Sequence, residues 1–185
     1  MDREIGDGDH GVTMSIGWMA VKEKLSTINP SDGFHKICAQ IASIFLSAVG
    51  ASAGPLYATA LMRAGSAVKD KNLLDAMSFS LFLNAAANGI KERGKAEIGD
   101  KTMLDVWIPA ADEMKKQVSN GADLMIALEC TVKKAENAMN ATKNLLAKKG
   151  RASKLGDRSI GHIDPGAASS FAIINSIFQT LKKMN

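Results

Sequence analysis

Residues 34–48 have the sequence FHKICAQIASIFLSA, and residues 49–55, with the sequence VGASAGP, follow directly. The first segment contains no glycine or proline and places isoleucines at 37, 41 and 44, the three- and four-residue spacing of one helix face. Gly50 and Gly54 then interrupt the pattern, and the fixed φ of Pro55 suits the first turn of a new helix. The stretch therefore predicts two consecutive helices joined by a turn of small residues.

The same helical spacing recurs along the rest of the chain, and no segment shows the sustained alternation of a strand. Apolar residues make up 46% of the sequence but aromatic residues only 5%, which favours helices packed on helices. We expect an all-α antiparallel bundle or barrel in a single domain over residues 1–185. The predicted helices cover residues 13–25, 34–48, 55–68, 73–93, 102–118, 122–147 and 167–184.

Charge and composition argue against several classes of protein. The net charge of +4 and the pI near 9.1 come from basic residues spread along the helices, without the dense stripe of a nucleic-acid-binding surface. Residues 45–62 lack charges but contain two glycines and Pro55, so we interpret them as two helix ends rather than a membrane span. Cys38 and Cys130 lie in apolar stretches without paired spacing and are expected to be free thiols. With no signal peptide visible, these features favour a cytoplasmic protein.

The sequence opens with MDREIGDGDHG at residues 1–11, directly before a predicted helix. Carboxylates crowded at Asp2, Asp7 and Asp9 repel one another unless a cation neutralises them or water separates them. Their hard oxygens suit Mg²⁺, which often shares its ligand shell with phosphate, and His10 is a candidate hydrogen-bond donor to that phosphate. An EF-hand does not fit, because Gly11 occupies the third ligand position. The alternatives are a solvated acidic turn and an exposed or helix-capping role for His10.

Three further loops, at residues 49–55, 94–102 and 148–166, are rich in glycine and charge. The first presents N–H groups at a helix start, which suits phosphate binding, although small residues also permit close helix packing. The third carries Arg151 and Arg158, whose guanidinium groups are typical phosphate donors. In an up-and-down bundle an even number of helices separates each loop from the next. We therefore expect all four loops at one end, forming a composite site.

Four segments resemble, in order, the nucleotide-binding L subunits of dihydroxyacetone kinases: DREIGDGDHG at 2–11, GPL at 54–56, RGKAEIGDKTM at 93–103 and the GRAS to GHIDPG loop at 150–166. The resemblance covers essentially the whole chain. It implies a barrel of eight antiparallel helices that binds ADP or ATP at one end, with two Mg²⁺ ions held by Asp2, Asp7 and Asp9. The implied nucleotide contacts are His10, Gly11, Thr13, Ser52, Ala53, Gly94, Met103, Arg151, Asp164, Pro165 and Gly166.

The resemblance also implies partners. In the family a K subunit holds dihydroxyacetone and the L subunit supplies the phosphoryl group. In stand-alone L subunits, a phosphohistidine M subunit of the phosphotransferase system rephosphorylates the bound ADP. Because this chain carries no K domain, we expect the phosphotransferase-system type, in which the L subunit has no catalytic nucleophile of its own. A homodimer is compatible with this expectation. We expect neither nucleic acid nor a membrane as partner.

Two other functions remain open at this stage. One is an L-type domain of an ATP-dependent kinase for another small ketose or a fatty acid. Fatty-acid relatives tend to carry Asp-Thr-Gly where this chain has Asp9-His10-Gly11, which favours the sugar branch. The other is a non-catalytic nucleotide sensor that docks a regulator.

The sequence departs from the family pattern in two places. A helix that precedes the metal loop in the family is absent from the sequence, so we expect seven of the eight helices. Aligned on Gly54-Pro55-Leu56, Ser52 stands one place early and Ala53 occupies the position of the family's serine. Only the backbone contacts of this turn therefore carry over.

Overall fold

The computed structural model describes residues 2–184, and all regular structure within them is helical. The seven predicted long helices are all present, so the all-α class is confirmed. A short helix over the first aspartate was not predicted. The helices are α1 Asp2–Ile5, α2 His10–Lys24, α3 Phe34–Ala48, α4 Ala53–Ala67, α5 Ala76–Gly94, α6 Leu104–Ser119, α7 Leu124–Ala141 and α8 Pro165–Met184, with 3₁₀ segments at Leu25–Thr27, Thr142–Asn144 and Arg151–Ser159.

Three predicted helix boundaries differ from the structure by three or more residues: α2 begins at His10 instead of residue 13, and the start of α5 and the end of α7 also differ. Helix α5 begins at Ala76 instead of residue 73, because Asp75 has an extended backbone and its carboxylate accepts a hydrogen bond from Ser78 N–H at 2.8 Å. Helix α7 ends at Ala141 instead of residue 147. The chain then forms a 3₁₀ turn at Thr142–Asn144 and is extended at Leu145, and the ammonium of Lys101 donates to the carbonyls of Thr142 and Leu145 in this conformation.

The helices group into two compact units, the first formed by Val12–Lys95. In this unit α3 packs against α4, and α4 packs against α5. Phe45 is fully buried, and its ring lies 5.0 Å from that of Trp18 and 5.9 Å from that of Tyr57. These aromatic contacts anchor the first half of the chain.

The second unit combines the residues up to Gly11 with those from Ala96 onward. Helix α7 packs against α6 and α8, and the fully buried core includes Leu104, Met114, Leu128 and Ile174. A separate apolar cluster joins Ile5 of α1 to Ala147 and Ala152, with Leu155 packed against it. This cluster attaches the start of the chain to the loop after α7, which positions the candidate site described below.

The structure also bears on the uncharged stretch at residues 45–62 and on the two cysteines. Between residues 2 and 184, no helix combines the length and hydropathy needed to cross a membrane. Both cysteines are free thiols, as expected. Burial raises the pKa of the Cys38 thiol to about 11, so this side chain is an unreactive part of the core.

We predict that Gly65→Ala lowers the free energy of unfolding by about 1–3 kcal/mol. A Cβ atom at this position would lie 2.6 Å from the Cβ of Cys38 and 3.0 Å from the Cα of His35, so α3 and α4 would have to separate. Ser66→Ala, on the exposed side of the same helix turn, is the matched control and should change it by less than about 0.5 kcal/mol. Equal denaturation midpoints for the two variants would contradict the close helix contact.

Candidate functional site

Asp2, Asp7 and Asp9 form the cluster that the sequence predicts. Each offers one carboxylate oxygen, and these oxygens all lie within 4.8 Å of one another. Asp2 is half-buried, whereas Asp7 and Asp9 are exposed. Three negative charges at this separation need a positive charge between them, and an all-oxygen donor set is the kind that Mg²⁺ prefers. The residues therefore fit a divalent cation.

The backbone of the loop fixes this arrangement. Ile5 is 1% exposed, which secures α1 to the loop after α7. The carboxylate of Asp2 accepts a hydrogen bond from the backbone N–H of His10 at 2.9 Å, so Asp2 also holds the first turn of α2. Gly8 turns the chain with a φ of +80°, a conformation that side-chain-bearing residues rarely adopt. Asp2 is thus held by α1 and by α2 together, which the sequence did not predict.

Arg151 supplies positive charge to the cluster. Its guanidinium forms an ion pair with Asp7 and lies 3.3 Å from a carboxylate oxygen of Asp9. Arg151 begins a 3₁₀ segment directly after Gly150, whose φ is +67°. The sequence predicts a phosphate contact for Arg151 and does not predict this ion pair. A cation bound by the aspartates would take over the partners of Arg151 and leave its guanidinium free for a phosphate.

His10 connects the acidic loop to the start of α8. Its Nε2 lies 2.9 Å from the hydroxyl of Ser169, and that hydroxyl donates to the carbonyl of Gly166 at 3.0 Å. Burial lowers the pKa of His10, although Asp2 and Asp9 act in the opposite direction. The imidazole is therefore mostly neutral at pH 7, which suits hydrogen bonding rather than charge pairing with a phosphate.

Asp164 directly precedes α8 and is the most strongly perturbed carboxylic acid in the site. It is 9% exposed, and its carboxylate accepts a hydrogen bond from Ala167 N–H at 2.7 Å. Burial raises its pKa to about 7, and Asp105 adds to the rise, whereas backbone donors and Lys101 oppose it. Asp164 is therefore partly protonated near neutral pH and can donate a hydrogen bond as well as accept one.

The structure brings Met103 together with the start of α8. A Cβ on Gly166 would lie 3.3 Å from Met103 N and 3.4 Å from its Cβ, so the absence of a side chain permits this approach. Met103 is 8% exposed, and Pro165 is the first residue of α8. The predicted contacts Met103, Arg151, Asp164, Pro165 and Gly166 therefore belong, with the aspartates, His10 and Gly11, to one compact unit.

The remaining predicted contacts belong to the unit formed by Val12–Lys95. Ser52 directly precedes α4 but makes no capping hydrogen bond with its side chain, and Ala53 is the buried first residue of that helix. Thr13 is half-buried in the first turn of α2, and Gly94 is the last residue of α5. Nucleotide contacts at these four positions stay predictions.

Sequence reasoning missed Lys101, Asp105 and Thr142, which hold the loops of this unit in place. The Asp105 carboxylate accepts hydrogen bonds from Gly99 N–H at 2.5 Å and Thr102 N–H at 2.7 Å. Lys101 is 1% exposed and Thr142 is fully buried. The two glycines and four charged residues at 94–101 are more than a simple turn needs, so they could have indicated that these residues hold the loop in place.

Fold and site together define an all-helical protein with a candidate cation site of three aspartates directly before one helix and a buried acidic group, Asp164, directly before another. The chain belongs to the DAK2 domain family, whose match covers residues 4–179.

Relatives and a solved structure agree with this assignment. The chain is 43% identical over 170 residues to the ADP-binding subunit DhaL of the PEP-dependent dihydroxyacetone kinase of Escherichia coli, which covers 91% of this chain and 80% of that protein. It is 33% identical to the DhaL subunit of the PTS-dependent dihydroxyacetone kinase of Lactococcus lactis, over 98% of this chain and 85% of that protein.

The fold is similar to that of the C. freundii dihydroxyacetone kinase crystallised with AMP-PNP and Mg²⁺, with a TM-score of 0.69 and 21% identity. That match covers 97% of this chain but only 29% of the crystallised chain.

We predict that Asp164 makes the protein less stable as pH rises from about 4 to about 7. The folded state keeps a proton that the unfolded chain releases near its ordinary value of 3.8, so folding is favoured below that range and loses this advantage as pH approaches 7. The full shift is worth up to roughly 4 kcal/mol at about 1.4 kcal/mol per unit. Asp164→Asn, which keeps an oxygen for Ala167, should flatten the curve. An unchanged slope in urea denaturation would contradict the assignment.

We also predict that Arg151→Met strengthens binding of a divalent cation in the absence of nucleotide, by about two- to fivefold. The guanidinium competes with the metal for Asp7 and Asp9, and methionine removes that competitor while keeping part of the side-chain volume. Titration with Mn²⁺, followed by electron paramagnetic resonance, measures the affinity directly. Arg158→Met, an exposed arginine of the same loop, is the control and should leave it unchanged. Weaker Mn²⁺ binding by the Arg151 variant alone would show that Arg151 supports the metal site rather than competing for it.

Proposed function

We propose that this chain is the nucleotide-binding, phosphoryl-transferring subunit of a dihydroxyacetone kinase. In this proposal it holds Mg-ADP or Mg-ATP and passes a phosphoryl group to dihydroxyacetone bound on a separate K subunit. A phosphohistidine M subunit of the phosphotransferase system then rephosphorylates the ADP in place. Two Mg²⁺ ions, a cytoplasmic location and a homodimer belong to the same proposal.

One observation carries the proposal: the oxygens of Asp2, Asp7 and Asp9 lie within 4.8 Å of one another, beside an arginine and two helix starts. Divalent cations and positively charged groups next to helix N-termini are what a diphosphate requires. Family membership and the similarity to ADP-binding DhaL subunits, over 80% or more of their length, support the same function.

Phosphoryl transfer requires the chain mainly to position the nucleotide and to supply positive charge. Asp2, Asp7 and Asp9 would hold magnesium, which would neutralise negative charge on the phosphates and on the group in transfer. Arg151 leaves Asp7 and Asp9 and donates to phosphate oxygens, which stabilises the same charge. The single N–H of His10, which burial holds neutral, leaves the Ser169 hydroxyl and donates to a phosphate oxygen. Met103 and Asp164 to Gly166 contact the base and ribose.

The attacking hydroxyl belongs to dihydroxyacetone, so the chain needs no nucleophile of its own. The thiol of Cys38 is unsuited to that role, because burial raises its pKa to about 11. We therefore expect negligible phosphoryl transfer by the isolated chain. Transfer should appear when a K-type subunit with bound dihydroxyacetone is added together with a phosphoryl donor, and transfer to another small ketose instead would redirect the proposal.

We predict that Asp7→Asn weakens ADP binding in the presence of Mg²⁺ by about tenfold or more, a loss of at least 1.4 kcal/mol. The substitution removes a metal ligand, and without the metal two carboxylates face the diphosphate. Isothermal titration calorimetry with ADP and Mg²⁺ measures the change. The control is Asp112→Asn, on the exposed face of α6, which should bind ADP as the unchanged protein does. Unchanged affinity in Asp7→Asn would remove the metal assignment and, with it, this function.

A further inference from the structure

Lys101 is a lysine with almost no contact with solvent. It is 1% exposed, and its ammonium donates hydrogen bonds to the carbonyl of Thr142 at 2.8 Å, of Leu145 at 3.2 Å and of His162 at 2.7 Å. An ammonium has three N–H donors, so all of them are used. Three acceptors around one nitrogen also require the protonated form, even though burial lowers the pKa of Lys101. The side chain therefore has no donor left for a phosphate.

These three acceptors join separate parts of the chain. Thr142 and Leu145 lie in the turn after α7, and His162 lies two residues before Asp164. Lys101 itself stands two residues before Met103. One buried ammonium thus links the loop that carries Met103, the turn after α7 and the segment that leads into α8.

Thr142 extends the link to Asp164. Its carbonyl accepts from Lys101, while its hydroxyl accepts from the backbone N–H of Asp164 at 3.1 Å. The Asp164 carboxylate is close enough to Lys101 for each charge to stabilise the other. Backbone and side chain of Asp164 are therefore both positioned through contacts that begin at Lys101.

The backbone of Lys101 has an energetically unfavourable conformation. Its φ is +60°, a left-handed conformation that is unfavourable for a residue with a side chain. Asp105 holds the preceding turn through Gly99 and Thr102, and Asp100 accepts from Glu97 N–H at 2.9 Å. A strained residue that is held by so many contacts is typical of a functional site rather than of a simple turn.

We propose that Lys101 is a positioning residue of the nucleotide site, which holds Met103 and Asp164 in the geometry that binds the base and ribose of ADP. The proposal rests on the function proposed above. It does not make Lys101 a ligand of the nucleotide. Its effect is exerted through the backbone carbonyls of Thr142, Leu145 and His162 and through the charge of Asp164.

The test is Lys101→Met, which keeps most of the length of the side chain and removes its charge and donors. At a temperature where circular dichroism shows the variant folded, its dissociation constant for ADP with Mg²⁺ should rise by about tenfold or more. Binding of Mn²⁺ without nucleotide should change by less than about threefold, because the aspartate oxygens are held by α1 and α2. A merely structural role would not separate these two affinities.

Thr131→Val is the matched control, because Thr131 is also fully buried in this unit and donates to Ala127 O within α7. It should lower stability and leave ADP binding unchanged. Thr142→Val provides a milder variant if Lys101→Met does not fold. It removes the acceptor for Asp164 N–H and a donor to the carbonyl of Met139, and it should weaken ADP binding with the same selectivity.

The proposal is overturned if folded Lys101→Met, or Thr142→Val in its place, binds ADP as the unchanged protein does. It is also overturned if Thr131→Val loses as much ADP affinity. A failure of the unchanged protein to bind ADP would instead reject the function proposed above, so the two failures are distinguishable.

Discussion

The repulsion among Asp2, Asp7 and Asp9 is the constraint around which the site is built. Their oxygens lie within 4.8 Å of one another, and that separation is unfavourable without a positive charge. Several otherwise separate features of the loop hold the three carboxylates at this short separation. Ile5 is inserted into an apolar cluster, Gly8 turns the chain, and the Asp2 carboxylate holds the start of α2. Arg151 then supplies the positive charge.

Charge is handled in two different ways within one unit of the protein. The aspartate cluster and Arg151 are exposed or half-buried, so ions and phosphates can exchange there at small cost. Lys101 and Asp164 are buried, so their charges are costly unless they are paired and hydrogen-bonded. The exposed groups are therefore suited to binding and releasing ligands, and the buried groups to holding loops in one conformation.

Much of the fold could be predicted from local patterns. Helical spacing located all seven long helices, and the limits of α3 at Phe34 and Ala48 were predicted correctly because Gly33 and Gly50 lie on either side of an uninterrupted pattern. The end of α7 was predicted wrongly, and the turn that follows it is bonded to Lys101, which lies 41 residues earlier in sequence than Thr142. The cluster of Asp2, Asp7 and Asp9 was predictable because these residues are close in sequence, whereas the ion pair of Arg151 with Asp9 spans 142 residues and has no local signal.

The central claim is that metal and nucleotide share one site, and their thermodynamic linkage tests it most directly. ADP affinity of the unchanged protein should be measured by calorimetry in Mg²⁺ and in EDTA, and Mn²⁺ affinity by electron paramagnetic resonance with and without ADP. Each ligand should strengthen binding of the other by the same factor, about tenfold or more, because the coupling free energy is reciprocal. Equal ADP affinity in Mg²⁺ and in EDTA would contradict the account.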